Sequence, residues 1–157
     1  MSEEIAAVQS GIRAILSLNS SLVSNVLTVA FSDPDLVNVH KSNDRAAIEA
    51  NLKKLRPYDG GDCSEMAMLG LRTAVARSDN NSLLIFFSDA SAKDYFEAPE
   101  VTRLAKEKNV TIMFFITGCC KSCASYRFRV YKLIAYDTGG RLYRIRRIEA
   151  QTVRLHL

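Results

Sequence analysis

The sequence has no tryptophan, only three prolines and two histidines, and no residue type that dominates it. It also lacks any long apolar run. Nothing approaches the ~20 consecutive apolar residues that a membrane helix needs, so no membrane insertion is expected. No internal repeat, low-complexity tract or linker interrupts it, which argues against disordered and repeat architectures. Charge of one sign is missing as well: the formal net charge is +4, spread along the chain. That is too dilute for a nucleic-acid surface. The one tight basic cluster, Arg141, Arg144, Arg146 and Arg147, reads as a solvated strand and helix start.

Catalytic signatures are missing too. There is no Gly-x-Gly-x-x-Gly after a strand, no Gly-x-x-x-x-Gly-Lys-Ser/Thr and no Gly-x-Ser-x-Gly. Gly60-Gly61 precedes Asp62, whose charge repels phosphate rather than cradling it. His40 and His156 are too far apart in sequence to frame an active site. A metal hydrolase would want a general base beside its ion, and none can be named. No catalytic residue is therefore assigned, and an enzyme is not expected.

What the chain does have is an ordinary globular balance. Its 157 residues are 48% hydrophobic and 24% charged, enough for one domain with a sizeable core. Apolar residues at helical spacing, Ile5, Val8, Ile12, Ile15 and Leu16, predict a helix over 3–18. Residues 25–32 are rich in β-branched and aromatic side chains and predict a strand. The Asp33-Pro34-Asp35 turn leads to a short strand at 36–40. Asn43 is the expected cap of a helix over 44–56. A loop through Tyr58–Asp62 precedes a helix over 64–77. Residues 83–88 and 110–117 are nearly continuous apolar runs, as expected of strands buried on both faces of a parallel sheet. Helices over 97–107 and 124–137 follow them, Gly139-Gly140 ends the second, and 141–146 is a last strand. A final helix is expected from Glu149, cut short by the C-terminus.

Strands alternating with helices predict an α/β three-layer sandwich with a mostly parallel sheet and 36–40 as its antiparallel edge. Ligands bind such sheets beyond the carboxyl ends of the strands, where Asp62, Glu65 and Asp89 can all lie. Each also has a plainer role. Asp62 can cap the following helix with Glu65 as its capping-box partner, and Asp89 can cap a turn. Met66 and Met68 read as packing and loop residues, and Asp94 as a surface residue. Cys119-Cys120-Lys121-Ser122-Cys123 lacks the second half of a zinc knuckle, so a structural zinc site is not supported. Sequons at Asn19, Asn80 and Asn109 permit glycosylation in a secreted protein. Met1 runs directly into Ser2-Glu3-Glu4, so no signal peptide is visible.

Two strings carry a family resemblance: Gly60-Gly61-Asp62-Cys63-Ser64-Glu65-Met66, and Phe86-Phe87-Ser88-Asp89-Ala90-Ser91 continuing to Tyr95. With Phe115–Cys120 and Tyr131–Ala135 they make the chain resemble the von Willebrand factor A domain, in the form found in hemicentin-like matrix proteins. The resemblance implies a Rossmann-like sandwich and a metal-ion-dependent adhesion site built from three loops. Asp89 matches the third-loop ligand. Asp62 matches the second-loop position, and Glu65 the Glu of an Asp-x-x-Glu variant. Such oxygen donors suit Mg²⁺, or Ca²⁺ or Mn²⁺. The first loop, Asp-x-Ser/Thr-x-Ser, has no counterpart, nor does the central strand before it. A chain without that strand pairs its flanking strands directly or leaves a gap. The expectation is therefore a single domain over 1–157, truncated at its N-terminus and clipped at its C-terminus, whose metal site is incomplete. The same pattern has cysteines at Cys63 and Cys120 and implies their disulfide, leaving Cys119 and Cys123 to pair locally. Free thiols in a reducing compartment are the alternative. The implied function is a non-catalytic adhesion module of a secreted matrix protein, binding a protein ligand of the matrix or cell surface and no nucleic acid. An intracellular scaffold domain is the alternative.

Overall fold

A computed structural model describes residues 2–18, 23–56 and 63–145. Along the chain these form α1 (Ser2–Leu18), β1 (Val26–Phe31), β2 (Leu36–Ser42), α2 (Arg45–Leu52), α3 (Ala67–Arg77), β3 (Leu83–Ser88), a 3₁₀ turn (Tyr95–Glu97), α4 (Ala98–Glu107), β4 (Thr111–Ile116), α5 (Tyr126–Asp137) and β5 (Leu142–Arg144). The fold is α/β, as the alternating pattern predicts. The expected helix from Glu149 lies outside the described residues.

The helix starts follow local chemistry. Asp44, not Asn43, caps α2: its carboxylate accepts from the amides of Ala46 and Ala47. Both residues favour that position, and the helix simply begins one residue later. Pro99 stands in the first turn of α4, where its missing N–H costs nothing. α5 ends at Gly139-Gly140, and each glycine has its own reason. Gly139 takes φ +73°. Gly140 passes so close to β4 that a Cβ would meet the carbonyl oxygen of Ile112 at 1.9 Å.

Of the two arrangements expected without a central strand, the sheet takes the one with a gap. β3, β4 and β5 form a parallel ladder, pairing Phe87 with Phe115 and Phe115 with Tyr143. β1 and β2 form a separate antiparallel pair, with a register shift between Ala30 and Phe31. Among the described residues no ladder joins β1 to β3. The sheet is split where the resemblance places a central strand that residues 26–144 do not supply. Two strands keep their hydrogen bonds by pairing outward, and the inner edges stay apart.

Packing holds the halves together. α3 lies under both β1 and β3. Phe31 stacks on Phe86 at 5.2 Å between ring centroids, and Gly70 of α3 lets it in, since a Cβ there would touch the Phe31 ring at 2.8 Å. Phe86, Phe114 and Tyr131 continue the cluster into α4 and α5, with Val101, Ile112 and Ile134 fully enclosed. A second cluster, Leu16, Ile48 and Leu52, packs with Val26. It places α1 and α2 against the opposite side of β1, where Asn51 also donates to Thr28 Oγ1.

Polar pins close both ends. At the amino end, Asn25 and Lys41 both donate to the Asp79 carboxylate at 2.7 Å. Those hydrogen bonds, Lys41 first, hold the Asp79 carboxyl below its ordinary pKa. At the carboxyl end Lys93 pairs with Asp33. The Asp79 contribution to stability is present above the ordinary carboxylate range and fades as pH falls through its lowered pKa.

Gly140→Ala should destabilise the fold by roughly 3 kcal/mol, because a backbone carbonyl cannot move aside as a side chain can. Gly139→Ala should cost about 1 kcal/mol, since only the left-handed conformation is penalised in open space. Urea unfolding measures both, and a reversed order would contradict this account of the α5 end.

Candidate functional site

The carboxyl ends of β3 and β4 carry the conspicuous chemistry. After β3 the chain turns at Asp89, with the Ala90 amide donating to Ser88 Oγ at 3.1 Å. Asp89 is half-buried, and the loop after β4 runs against its backbone: a Cβ on Gly118 would stand 2.3 Å from the Asp89 carbonyl oxygen. Only glycine lets the two loops approach that closely. Glu65 reaches the same edge through its backbone. Its amide donates to the Ser91 carbonyl at 3.0 Å, its carbonyl accepts from the Lys93 amide at 2.7 Å, and the pairing makes a short parallel bridge with Ala92.

All four cysteines are placed in these loops. Cys63 is joined to Cys120 across a Cα separation of 5.6 Å, and Cys119 to Cys123 across 5.3 Å. Ser91, fully enclosed, clamps the junction: the Cys120 amide donates to its hydroxyl at 3.2 Å. The segment before α3, the turn after β3 and the loop after β4 are thus tied into one unit.

Asp94 is not the surface residue that was expected. It is 1% exposed, and its carboxylate accepts from the amides of Met68 (3.0 Å) and Leu69 (2.8 Å) at the start of α3. A distant carboxylate thereby caps a helix whose own cap position, Met66, offers no side-chain bond. Glu65 is consequently not a capping-box partner within its helix. The signal was available in part, since the sequence from Met66 to Leu69 has no Ser, Thr, Asn or Asp to cap a helix. Tyr131 completes the floor. Its hydroxyl donates to the Ala90 carbonyl at 3.2 Å, and burial pushes its phenol far above the ordinary value, with the charges of Asp94 and Glu65 adding to the effect. It acts as a neutral, fixed donor.

The remaining candidates separate. Met68 is enclosed in the core, as expected of a packing residue. Asn80 and Asn109 are exposed, and the Asn109 amide donates to Asn81 Oδ1 at 2.7 Å. Arg144 lies over the Phe128 ring, and Arg141 is exposed. His40 is half-buried in β2. Asp62, Asn19, Arg146, Arg147 and His156 lie outside the described residues.

Among the described residues no three His, Cys, Asp or Glu side chains gather in a group able to hold a metal. Glu65 and Asp89 alone do not make the near-octahedral oxygen set that Mg²⁺ requires, so the described donor set does not fit the ion.

Residues 1–147 match the sequence profile of the von Willebrand factor A domain. The chain belongs to that family. It is 32% identical over 130 residues to hemicentin-2 of Mus musculus and 31% identical over 121 residues to hemicentin-1 of Homo sapiens, matches that cover 83% and 77% of this chain. Each spans only 2% of the hemicentin's length. It is also 29% identical over 153 residues to von Willebrand factor A domain-containing protein 7 of Rattus norvegicus, covering 89% of this chain and 17% of the relative. Among solved structures, proximal thread matrix protein 1 from the mussel byssus shares the fold with a TM-score of 0.65 at 16% identity, over 96% of this chain and 41% of that one.

Two outcomes follow from this A-domain edge. Asp94→Ala should cost roughly 2 kcal/mol in urea unfolding, and Asp94→Asn less, since an amide oxygen can still accept. A neutral Asp94→Ala would remove its capping role. Replacing Cys63 and Cys120 together by serine should cost about 4 kcal/mol, against about 2 kcal/mol for the Cys119–Cys123 pair, because the first closes a far longer loop (sequence separations 57 and 4). Equal losses would contradict that ranking.

Proposed function

We propose that the chain is a non-catalytic adhesion and protein-interaction module of a secreted, hemicentin-like matrix protein, presenting the carboxyl edge of its sheet to a protein ligand. The observation that carries this reading is the Cys63–Cys120 bond. It braces the loops of that edge, and such bonds persist in oxidising compartments. The similarity to hemicentins and the exposed sequons at Asn80 and Asn109 support the same setting.

In the metal part of the proposal, Asp62, Glu65 and Asp89 are the remnant of the family's adhesion site. They bind Mg²⁺, or Ca²⁺ or Mn²⁺, only weakly, because the hydroxyl and acidic ligands of the first loop have no counterpart. Adhesion by this chain then does not depend on the ion.

The test is secretion from a eukaryotic cell line followed by a solid-phase assay on matrix proteins and cell surfaces. Saturable binding should persist in EDTA and disappear on reduction of the disulfides. Secretion failure with free thiols, or binding abolished by EDTA alone, would count against the reading. Calorimetry addresses the ion itself: Mg²⁺ affinity should be no tighter than about millimolar. It should rise by at least about tenfold when an Asp-x-Thr-Gly-Ser segment is added ahead of residue 1, and Asp89→Ala should abolish that gain. Tight Mg²⁺ binding by the chain as it stands would contradict the incomplete site.

A further inference from the structure

α5 is apolar on two sides. Its inner face buries Phe128, Val130, Tyr131, Ile134 and Ala135 against β4 and α4. The outer face of such a helix is ordinarily polar. Here Tyr126 (56%), Leu133 (49%) and Tyr136 (83%) stand exposed on it. Of the six large apolar side chains exposed among the described residues, three therefore share one helix of 12 residues. Phe96, 69% exposed, extends the patch at the amino end of α5: the Tyr95 ring makes edge-to-face contacts with both Phe96 and Tyr126. A contiguous patch of this kind marks a surface that another molecule covers.

Its spacing makes a stripe. Positions 126, 129, 133 and 136 follow at steps of three and four residues, and 129, 133 and 137 at steps of four, so all lie on one side of the helix. Arg129, Leu133 and Asp137 thus form a row that reads positive, apolar, negative. Arg129 and Asp137 are both exposed, and neither has an ion-pair partner among the described residues. Nearby cations are otherwise engaged: Arg103 pairs with Glu100 and Glu107, and Arg127 lies over the Tyr95 ring. Beside the stripe, a groove of about 550 Å³ runs between α4 and α5 over the buried Ala98, Val130 and Ile134. Tyr126 and Pro99 line it, and Asp137 shares it with Lys106 and Glu107, whose charges offset each other.

A row that is positive at one end and negative at the other is complementary to itself when turned end for end. Two copies of α5 crossing antiparallel at Leu133 bring Arg129 of each opposite Asp137 of the other, because both positions are four residues from 133. Two ion pairs then flank a contact between the two Leu133 side chains on the two-fold axis. The same turn brings Tyr136 of the partner subunit beside Val130, where the groove is also lined by Tyr126. Parallel helices would instead set Arg129 against Arg129, so the charge order also fixes the direction.

We infer that the outer face of α5 is a homodimer interface, on which a second copy of this chain packs its own α5 antiparallel. The i, i+4 ridges of the two helices interdigitate, and tyrosine and arginine are residues that interfaces favour. A helix of 12 residues offers only about 18 Å of contact length, so the interface is small and the dimer weak, with a dissociation constant on the order of 100 µM. α5 begins directly after the cysteine loop, so the antiparallel pair points its two carboxyl edges in opposite directions. On the adhesion reading, which this inference does not need, such a dimer joins two ligands.

Sedimentation equilibrium of the whole chain, from about 10 µM to about 1 mM, is the test. A monomer–dimer equilibrium is expected. Leu133→Asp should weaken it at least about tenfold, since it sets two carboxylates on the axis. Arg129→Asp and Asp137→Arg should each weaken it by a similar factor, because each puts like charges opposite one another. Mixed in equal amounts, these two variants should associate to within about threefold of the unsubstituted chain, as one copy then offers two acidic positions and the other two basic ones. Misfolded variants cannot produce that recovery. A chain that stays monomeric throughout would overturn the inference. So would association that all three substitutions leave unchanged, since the contact would then lie elsewhere, such as at the open edges of β1 and β3. A mixture that recovers nothing would overturn it as well, because the antiparallel pairing would be wrong.

Discussion

The arrangement depends on α3 acting as a common platform for two sheets that share no hydrogen bond in the described chain. Backbone pairing normally welds neighbouring strands, so a sheet opened along its middle needs another source of cohesion. Here side-chain burial supplies it. Gly70 lets Phe31 sink onto the helix, Phe31 stacks on Phe86, and Phe86 leads through Phe114 to Tyr131. The helix is in turn positioned by Asp94, which satisfies two amides that α3 cannot satisfy itself. One buried carboxylate thus links the loop after β3 to the platform on which both halves rest.

The same economy appears at the carboxyl edge. Three segments distant in sequence are brought together by backbone bonds at Glu65, by the close approach of Gly118 to Asp89, and by the disulfide between Cys63 and Cys120. Each contact is short and specific, and together they tie three segments into one edge. Loops tied together in this way have less conformational freedom to lose than loose ones. Among the described residues of this edge, the two candidate carboxylates Glu65 and Asp89 do not by themselves make a full oxygen shell.

Much of this was legible in the residues. The apolar runs at 83–88 and 110–117 have no alternation, and they became the parallel strands β3 and β4. The Asp33-Pro34-Asp35 turn correctly separated an antiparallel pair. Gly139-Gly140 closed α5 as expected. Local signals worked where the determining interactions are local. They failed at Asp94, a polar residue in a polar-looking loop whose partners lie more than twenty positions earlier. They left open whether the strands flanking the missing one pair directly or leave a gap, because strand neighbours are chosen by geometry and not by adjacency in the chain.

By itself the sequence determined the element types, the α/β class and the family, since periodicity, turn chemistry and short motifs are properties of contiguous residues. Only the tertiary structure decided that β1 and β3 stand apart. Only it decided that a buried aspartate caps α3, and that the cysteine loops meet beside Ser91. The physical reason is common to all three. Each depends on groups far apart along the chain satisfying one another's hydrogen bonds or apolar surface, and no single stretch of sequence contains both halves of that bargain.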